Sequence, residues 1–209
     1  MKRRTIALGL ALFASPALAL SQDIGAGAIV LAANHDVFNR PLSGGALHVF
    51  FPRKGQGYAL GIVMERVGRT DHRIGSTCVG LVMPGTCPSE PLTEDKRLTD
   101  VRGMAIVDLF RGTRASVALS AGGTIAKVAV NARGQTSGGT RQVARTLFGA
   151  DVGIVANWRP LKRVPVLVEA AGEGGRLRPL RSNEHIDGYT PFERAFNLNR
   201  YRIGIVWRL

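Results

Sequence analysis

Apolar side chains recur at every second position along most of this chain, the period of a β-strand with one apolar face and one polar or small face. In "GYALGIVMERVG", Tyr58, Leu60, Ile62 and Met64 share one face; Ala59, Gly61, Val63 and Glu65 share the other. "TDVRGMAIVDLFR" sets Val101, Ala105, Val107 and Leu109 against Arg102, Met104, Ile106 and Asp108. "ADVGIVANWR" sets Val152, Ile154, Ala156 and Trp158 against Asp151, Gly153, Val155 and Asn157. "VPVLVEAAGEGG" sets Val164, Val166, Val168 and Ala170 against Leu167, Glu169, Ala171 and Glu173. "GALHVFF" and "RASVALSAGG" alternate in the same way, "DIGAGAIVLA" does so more weakly, and "YRIGIVWRL" sets Tyr201, Ile203, Ile205, Trp207 and Leu209 against Arg202 and Arg208. The pattern predicts about eight strands and no helix beyond the first residues.

The connections alternate in length. "PRKG", "RGT" and "RPLK" read as tight turns, whereas "ANHDVFNRPLSG", the segment with the cysteines, "NARGQTSGGTRQ" and "RSNEHIDGYTPFERAFN" read as long polar loops. Runs of about ten residues are what a tilted strand needs to cross hydrocarbon. A sheet in lipid must close on itself, because an open edge leaves backbone N–H and C=O groups unpaired. Short turns at one end and long loops at the other fit a membrane barrel with both termini on the short-turn side. A soluble periplasmic β-barrel would also alternate. Against it, the more uniformly apolar face carries Phe51, Tyr58, Trp158, Tyr201 and Trp207 at run ends, and the other face is small or charged.

The first residues change the picture of location. "MKRR", then "TIALGLALFA", then Ala17-Leu18-Ala19 have the form of a secretory signal peptide over 1–19, leaving 20–209 as one β-barrel domain. The net charge is +13, and loss of Lys2, Arg3 and Arg4 with that segment lowers it by three. No dense basic run with interleaved aromatics is present, so nucleic acid is not an expected partner. Cys78 and Cys87 are an even pair in an exported chain, which favours one disulfide in the second long loop. Two thiols with His72 nearby do not make a structural zinc site, and no metal or cofactor is expected.

At the C-terminal run the sequence resembles the bacterial outer-membrane β-barrel family. "YRIGIVWRL" is similar to the terminal assembly signal of those barrels, with Tyr201, Ile203, Ile205 and Trp207 on the matching positions and Leu209 where a Phe is usual. The kind it most resembles is the small eight-stranded OmpA/OmpX-like barrel. The resemblance implies an all-β, closed antiparallel transmembrane barrel in the outer membrane of a Gram-negative-type bacterium. It also implies contact with the barrel-assembly machinery, outer-membrane lipid and lipopolysaccharide. A monomer is expected.

A barrel of eight strands has room inside only for its own side chains. The inward set should hold Glu65, Arg102, Asp108, Asp151, Glu169, Arg202 and Arg208, with His48 and Asn157 beside them. These charges are expected to pair into a network that fills the lumen. A narrow passive pore is the alternative. Catalysis is not expected. His48 is followed by Val49 and Phe50 rather than by the His-x-Ser of a lipid A deacylase, and His35, Asp36, Ser43, His185 and Asp187 sit in loops at no diagnostic spacing. The last loop region carries Arg176, Arg178, Arg181, Arg194 and Arg200 with Tyr189, Phe192 and Phe196, which suits lipopolysaccharide phosphates or simple solvation. The function read from sequence is therefore a structural or surface-interaction role in the envelope.

Overall fold

A computed structural model describes residues 22–52, 57–75, 89–161, 164–179 and 195–209. Eight strands follow one another: β1 (Asp23–Ala33), β2 (Leu42–Pro52), β3 (Tyr58–Gly75), β4 (Glu90–Arg111), β5 (Ala115–Gly134), β6 (Thr140–Trp158), β7 (Val166–Pro179) and β8 (Phe196–Arg208). Each pairs antiparallel with the next, and β8 pairs back onto β1 to close the ring. Cross-strand partners followed from Ile24 run through Val49, Ile62, Gly103, Gly123, Ala150, Arg176 and Asn197 and return to β1 at Asn34, ten residues further on. Eight strands with a stagger of ten tilt the strands about 40° from the barrel axis.

The closed ring turns the usual protein inside out. Ile125, Val152, Ile203 and Ile205 are at least 60% exposed on the outer wall, while Arg102 and Arg200 are 0% and 1% exposed inside. That distribution suits a wall facing hydrocarbon. The seam between β1 and β8 is tight. Gly27 and Gly204 are direct partners, and a Cβ on Gly204 would stand 2.5 Å from the Ala26 carbonyl oxygen and 2.9 Å from the Gly27 Cα. Glycine here lets the two strands meet with no side chain between them. The base of the seam is held by Arg208, whose Nε and Nη2 each donate to Asp23 at 2.8 Å.

Two expectations about length need correction. Strands β3 to β6 run 18 to 22 residues, not about ten. The stretch 131–142, expected as a long loop, is mostly strand, and only 135–139 turns. The cause is solvent. Above the apolar band β3 and β4 carry polar residues on both faces and the outer faces of β5 and β6 turn polar, so the apolar-outside alternation that marks a strand in lipid disappears although the pairing continues. The turn is anchored by Glu90, whose Oε2 accepts from the backbone N–H of Thr136 at 2.9 Å and of Ser137 at 2.8 Å. Because β1, β2, β7 and β8 end earlier, the four long strands project beyond the ring as a sheet at the long-loop end.

Candidate functional site

The lumen is built in three layers by inward side chains at alternate positions. At mid-height three guanidiniums meet five carboxylates. Arg102 on β4 donates to Glu65 on β3 and to Glu173 on β7. Arg200 on β8 reaches Asp100 at 2.7 Å and Glu65 at 3.1 Å, and it also donates to Asp151, which accepts from Thr124 Oγ1 as well. Arg202 donates from Nε to Glu169 at 2.8 Å and from Nη1 to Glu65 at 3.3 Å. All eight charged groups are buried. In a low-dielectric interior such groups persist only when paired and hydrogen-bonded, and here each guanidinium bridges at least two acids from different strands.

Toward the long-loop end the lumen becomes apolar. Ile29, Leu31, Leu42, Val67, Leu98, Val128, Leu147, Leu177 and Leu198 form one buried cluster. The first long connection folds into it: a 3₁₀ turn, Asp36–Phe38, places Val37 and Phe38 among these residues. His35 Nδ1 accepts from the Val37 N–H at 3.1 Å, and its ring meets Phe196 edge-on at 5.0 Å. At the opposite, short-turn end the lumen opens into a cavity of about 550 Å³ lined in part by His48, Phe50, Tyr58, Asp108, Arg159 and Glu169. His48 is buried with Nε2 3.5 Å from Glu169 Oε2. A Cβ on Gly25 would overlap its ring, so the missing side chain makes the ring's place.

Of the residues expected in the network, Glu65, Arg102, Asp151, Glu169 and Arg202 come together at mid-height. Asp108 and Arg208 do not join them. Asp108 pairs with Arg111 at 2.8 Å and Arg208 with Asp23, both at the short-turn end. Their strands carry them beyond the central layer before the side chains turn inward. Asp100, Glu173 and Arg200 belong to the network but were not expected there. Asp100 and Glu173 lie two residues from Arg102 and four from Glu169 on the same faces, so strict alternation points to them. Arg200, read from sequence as a loop residue, continues the inward row of Arg202 and Arg208 on β8.

The outer wall carries the terminal run as expected in facing: Tyr201, Ile203, Ile205, Trp207 and Leu209 are exposed and apolar. Arg176 and Arg178 also point outward, and the Arg178 guanidinium lies over the Phe148 ring at 4.2 Å. Phe196 is buried in the apolar layer, not in a loop. Cys78, Cys87, Arg181, His185, Asp187, Tyr189, Phe192 and Arg194 lie outside the described residues. Among the described residues, no group of three or more His, Cys, Asp or Glu is placed to hold a metal ion. Ser43 faces outward on β2 while His35 packs on Phe196, so these two do not form a nucleophile–base pair.

Above the ring the inner face of the projecting sheet has its own ion pairs. Asp71 accepts from Lys96 Nζ at 2.9 Å and from Arg69 Nε at 2.6 Å, and Arg73 Nη2 lies 2.7 Å from Glu94. Partial burial disfavours the Asp71 carboxylate, but the bonds from Lys96 and Arg69 outweigh it and hold its pKa below the ordinary value. A depressed carboxyl pKa contributes stability that is present above the unfolded value, about 4, and lost as the pH falls through the folded one. Pepsin should therefore nick the projecting sheet more readily as the pH drops below about 4. Asp71→Asn should flatten that dependence. An unchanged profile in the variant would remove Asp71 from the sheet's acid response.

No protein-family model matches the chain. No curated protein matches it either. Solved structures do. Ail, the attachment invasion locus protein of Yersinia pestis, solved with the heparin analogue sucrose octasulfate, is 10% identical with a TM-score of 0.55, over 92% of this chain and 100% of that one. Neisserial surface protein A is 10% identical with a TM-score of 0.55, over 90% and 97%. A major outer membrane protein from Thermus thermophilus is 12% identical with a TM-score of 0.56, over 90% and 99%. At these identities the likeness is one of fold. The fold is the eight-stranded antiparallel barrel of outer-membrane proteins, of the OmpA/OmpX-like type.

Proposed function

We propose that this protein is an integral outer-membrane barrel with a structural or surface-interaction role in the envelope, its lumen closed to ions. It is exported by the segment 1–19, inserted through recognition of its C-terminal strand by the barrel-assembly machinery, and monomeric because ring closure leaves no strand edge to pair within the membrane. Its short turns face the periplasm, and the projecting sheet of β3 to β6 stands outside the cell. The observation that carries the closed lumen is the stacking of two filled layers, the buried ion pairs and the apolar cluster above them. An ion entering from the cavity at the short-turn end would have to break the first layer and then cross the second without water. The exposed sheet, rich in charged pairs and held rigidly by four strands, is the part suited to meet other surfaces.

The test joins gel mobility to conductance. The mature protein in mild detergent should migrate faster unheated than boiled, as a closed barrel resists cold SDS. Reconstituted in a planar bilayer it should give no regular current steps at neutral pH. Uniform, reproducible steps would instead establish the narrow pore. A protein that stays in solution without detergent and shows no heat shift would refute the membrane assignment.

A further inference from the structure

The charges that line the cavity at the short-turn end do not all find partners. Arg111 and Arg208 line it and are answered by Asp108 and Asp23. Arg114 and Arg159 also line it, and no carboxylate among the described residues answers them. They stand opposite each other just beyond the paired ends of β5 and β6, with the Arg159 N–H donating to the Arg114 carbonyl oxygen at 2.7 Å. Both continue inward rows, Arg114 that of Ala118 and Ser116, Arg159 that of Val155 and Asn157. Like charges directly opposite on one face of a sheet repel. One step deeper, Ser116 pairs across with Asn157, and Asn157 pairs on its other side with Glu169. Glu169 gives one oxygen to Arg202 Nε at 2.8 Å. Its other oxygen accepts no hydrogen bond from a described residue, and His48 Nε2, 3.5 Å away, makes none. Asn157 Oδ1 is likewise buried without a hydrogen-bond partner.

We infer that this cavity binds a short peptide with free ends, its carboxylate held between Arg114 and Arg159 and its ammonium directed to Glu169. The inference rests on the membrane reading and on the lumen being closed behind the cavity. An anion between two opposed guanidiniums relieves their repulsion, and the planar fork of each matches the two oxygens of a carboxylate. The deep end has the opposite need. The central layer holds five buried carboxylates against three guanidiniums, so a cation at its lower surface, beside the uncommitted Glu169 oxygen, is favoured. The span fits as well. Asn157 and Arg159 are two residues apart on one strand, about 7 Å. An extended dipeptide covers about 7 Å too. Between the ends, the Ser116 hydroxyl and the Asn157 side chain offer hydrogen bonds to a peptide group. Phe50, Ala59, Ile106 and Leu167 offer apolar wall to small side chains. A volume of about 550 Å³ is that of an ordinary small-ligand pocket, and the ion-pair layer makes it a dead end. A simple anion leaves Glu169 unanswered, and a fatty acid would set its tail against a charged floor. The two ends together select a zwitterion.

The test uses the mature protein in mild detergent and isothermal titration calorimetry at neutral pH with four probes: alanyl-alanine, its N-acetyl form, its C-terminal amide, and acetate. The two blocked forms stand for the same residues at one end of a longer chain. Wild type should bind alanyl-alanine, and each other probe at least about tenfold more weakly, the loss expected when a charge-assisted contact is removed. Arg159→Gln should weaken alanyl-alanine about tenfold, and Arg114→Gln with Arg159→Gln about a hundredfold. Both variants should keep the heat shift of the folded barrel, since neither guanidinium pairs with a carboxylate of the fold. Equal binding by wild type and the double variant would overturn the site. The amide bound as tightly as the acid would overturn the role of the arginines, and the N-acetyl form bound as tightly would overturn that of Glu169. Acetate bound as tightly as the dipeptide would make this a plain anion site and overturn the peptide assignment. A wild-type protein without a heat shift defeats the membrane reading itself, whereas a heat-shifting barrel that takes up none of the probes holds only water there and defeats the site alone.

Discussion

Arg102→Met is expected to lower the unfolding stability of the barrel by about 3–5 kcal/mol, the cost of removing one partner from a buried ion pair. Arg102 is fully buried and donates to Glu65 and Glu173, with Asp100 3.9 Å from its Nε. Methionine fills much of the same space but leaves these carboxylates facing one another without their shared cation. The loss comes from the stranded acids more than from the missing bonds. Adding Glu65→Gln and Glu173→Gln to the same chain should therefore recover a large part of it, since amides carry no charge into the low-dielectric layer. Urea unfolding of the refolded protein in detergent, followed by the fluorescence of Trp158 and Trp207, measures both variants. If the single variant falls within about 1 kcal/mol of wild type, the layer behaves like exposed ion pairs in water. The closed lumen would then rest on the apolar layer alone.

Ile203→Arg should be nearly as damaging, for a reason on the other side of the wall. Ile203 is 67% exposed and stands between Ala28 on β1 and Ala170 on β7. It is two outward positions from Asn199 at one edge of the apolar band and two from Trp207 at the other, so it sits near the middle of the hydrocarbon. A charge there costs about 2–4 kcal/mol, falling to about 0–1 near the interfaces. Asn199→Arg, on the same strand and face, is the matched control and should be nearly silent. The pair is compared by equilibrium unfolding from lipid vesicles. Equal effects at Ile203 and Asn199 would mean that β8 does not face lipid at that depth.

Much of this is legible in the residues alone. The alternation in "GYALGIVMERVG" and "YRIGIVWRL" assigns Met64 and Ile203 to one wall and Glu65 and Arg202 to the other, because successive side chains of a strand must point to opposite faces. It fails at Thr70, His72, Thr93 and Asp95, because the inward neighbours Asp71, Arg73, Glu94 and Lys96 are polar too and the pattern carries no contrast. The projecting sheet was hidden for that reason. Arg200 was misplaced because it adjoins a polar stretch, although it continues the inward row of Arg202 and Arg208.

Alternation alone establishes that the strands exist, which face each residue takes, and that an apolar wall surrounds charged inward rows. It could not determine which charges meet. Arg200 joins Asp100 across 100 residues of chain, and Arg102 joins Glu173 across 71. Those encounters depend on the height of each side chain in the lumen, and height is set by the register of every strand pair together with the stagger of ten at closure. The same geometry separates Asp108 and Arg208 from the central layer and sets Arg114 opposite Arg159 at the short-turn end. Periodicity fixes direction along a single strand. Only the closed ring, with all eight registers locked at once, fixes the neighbours.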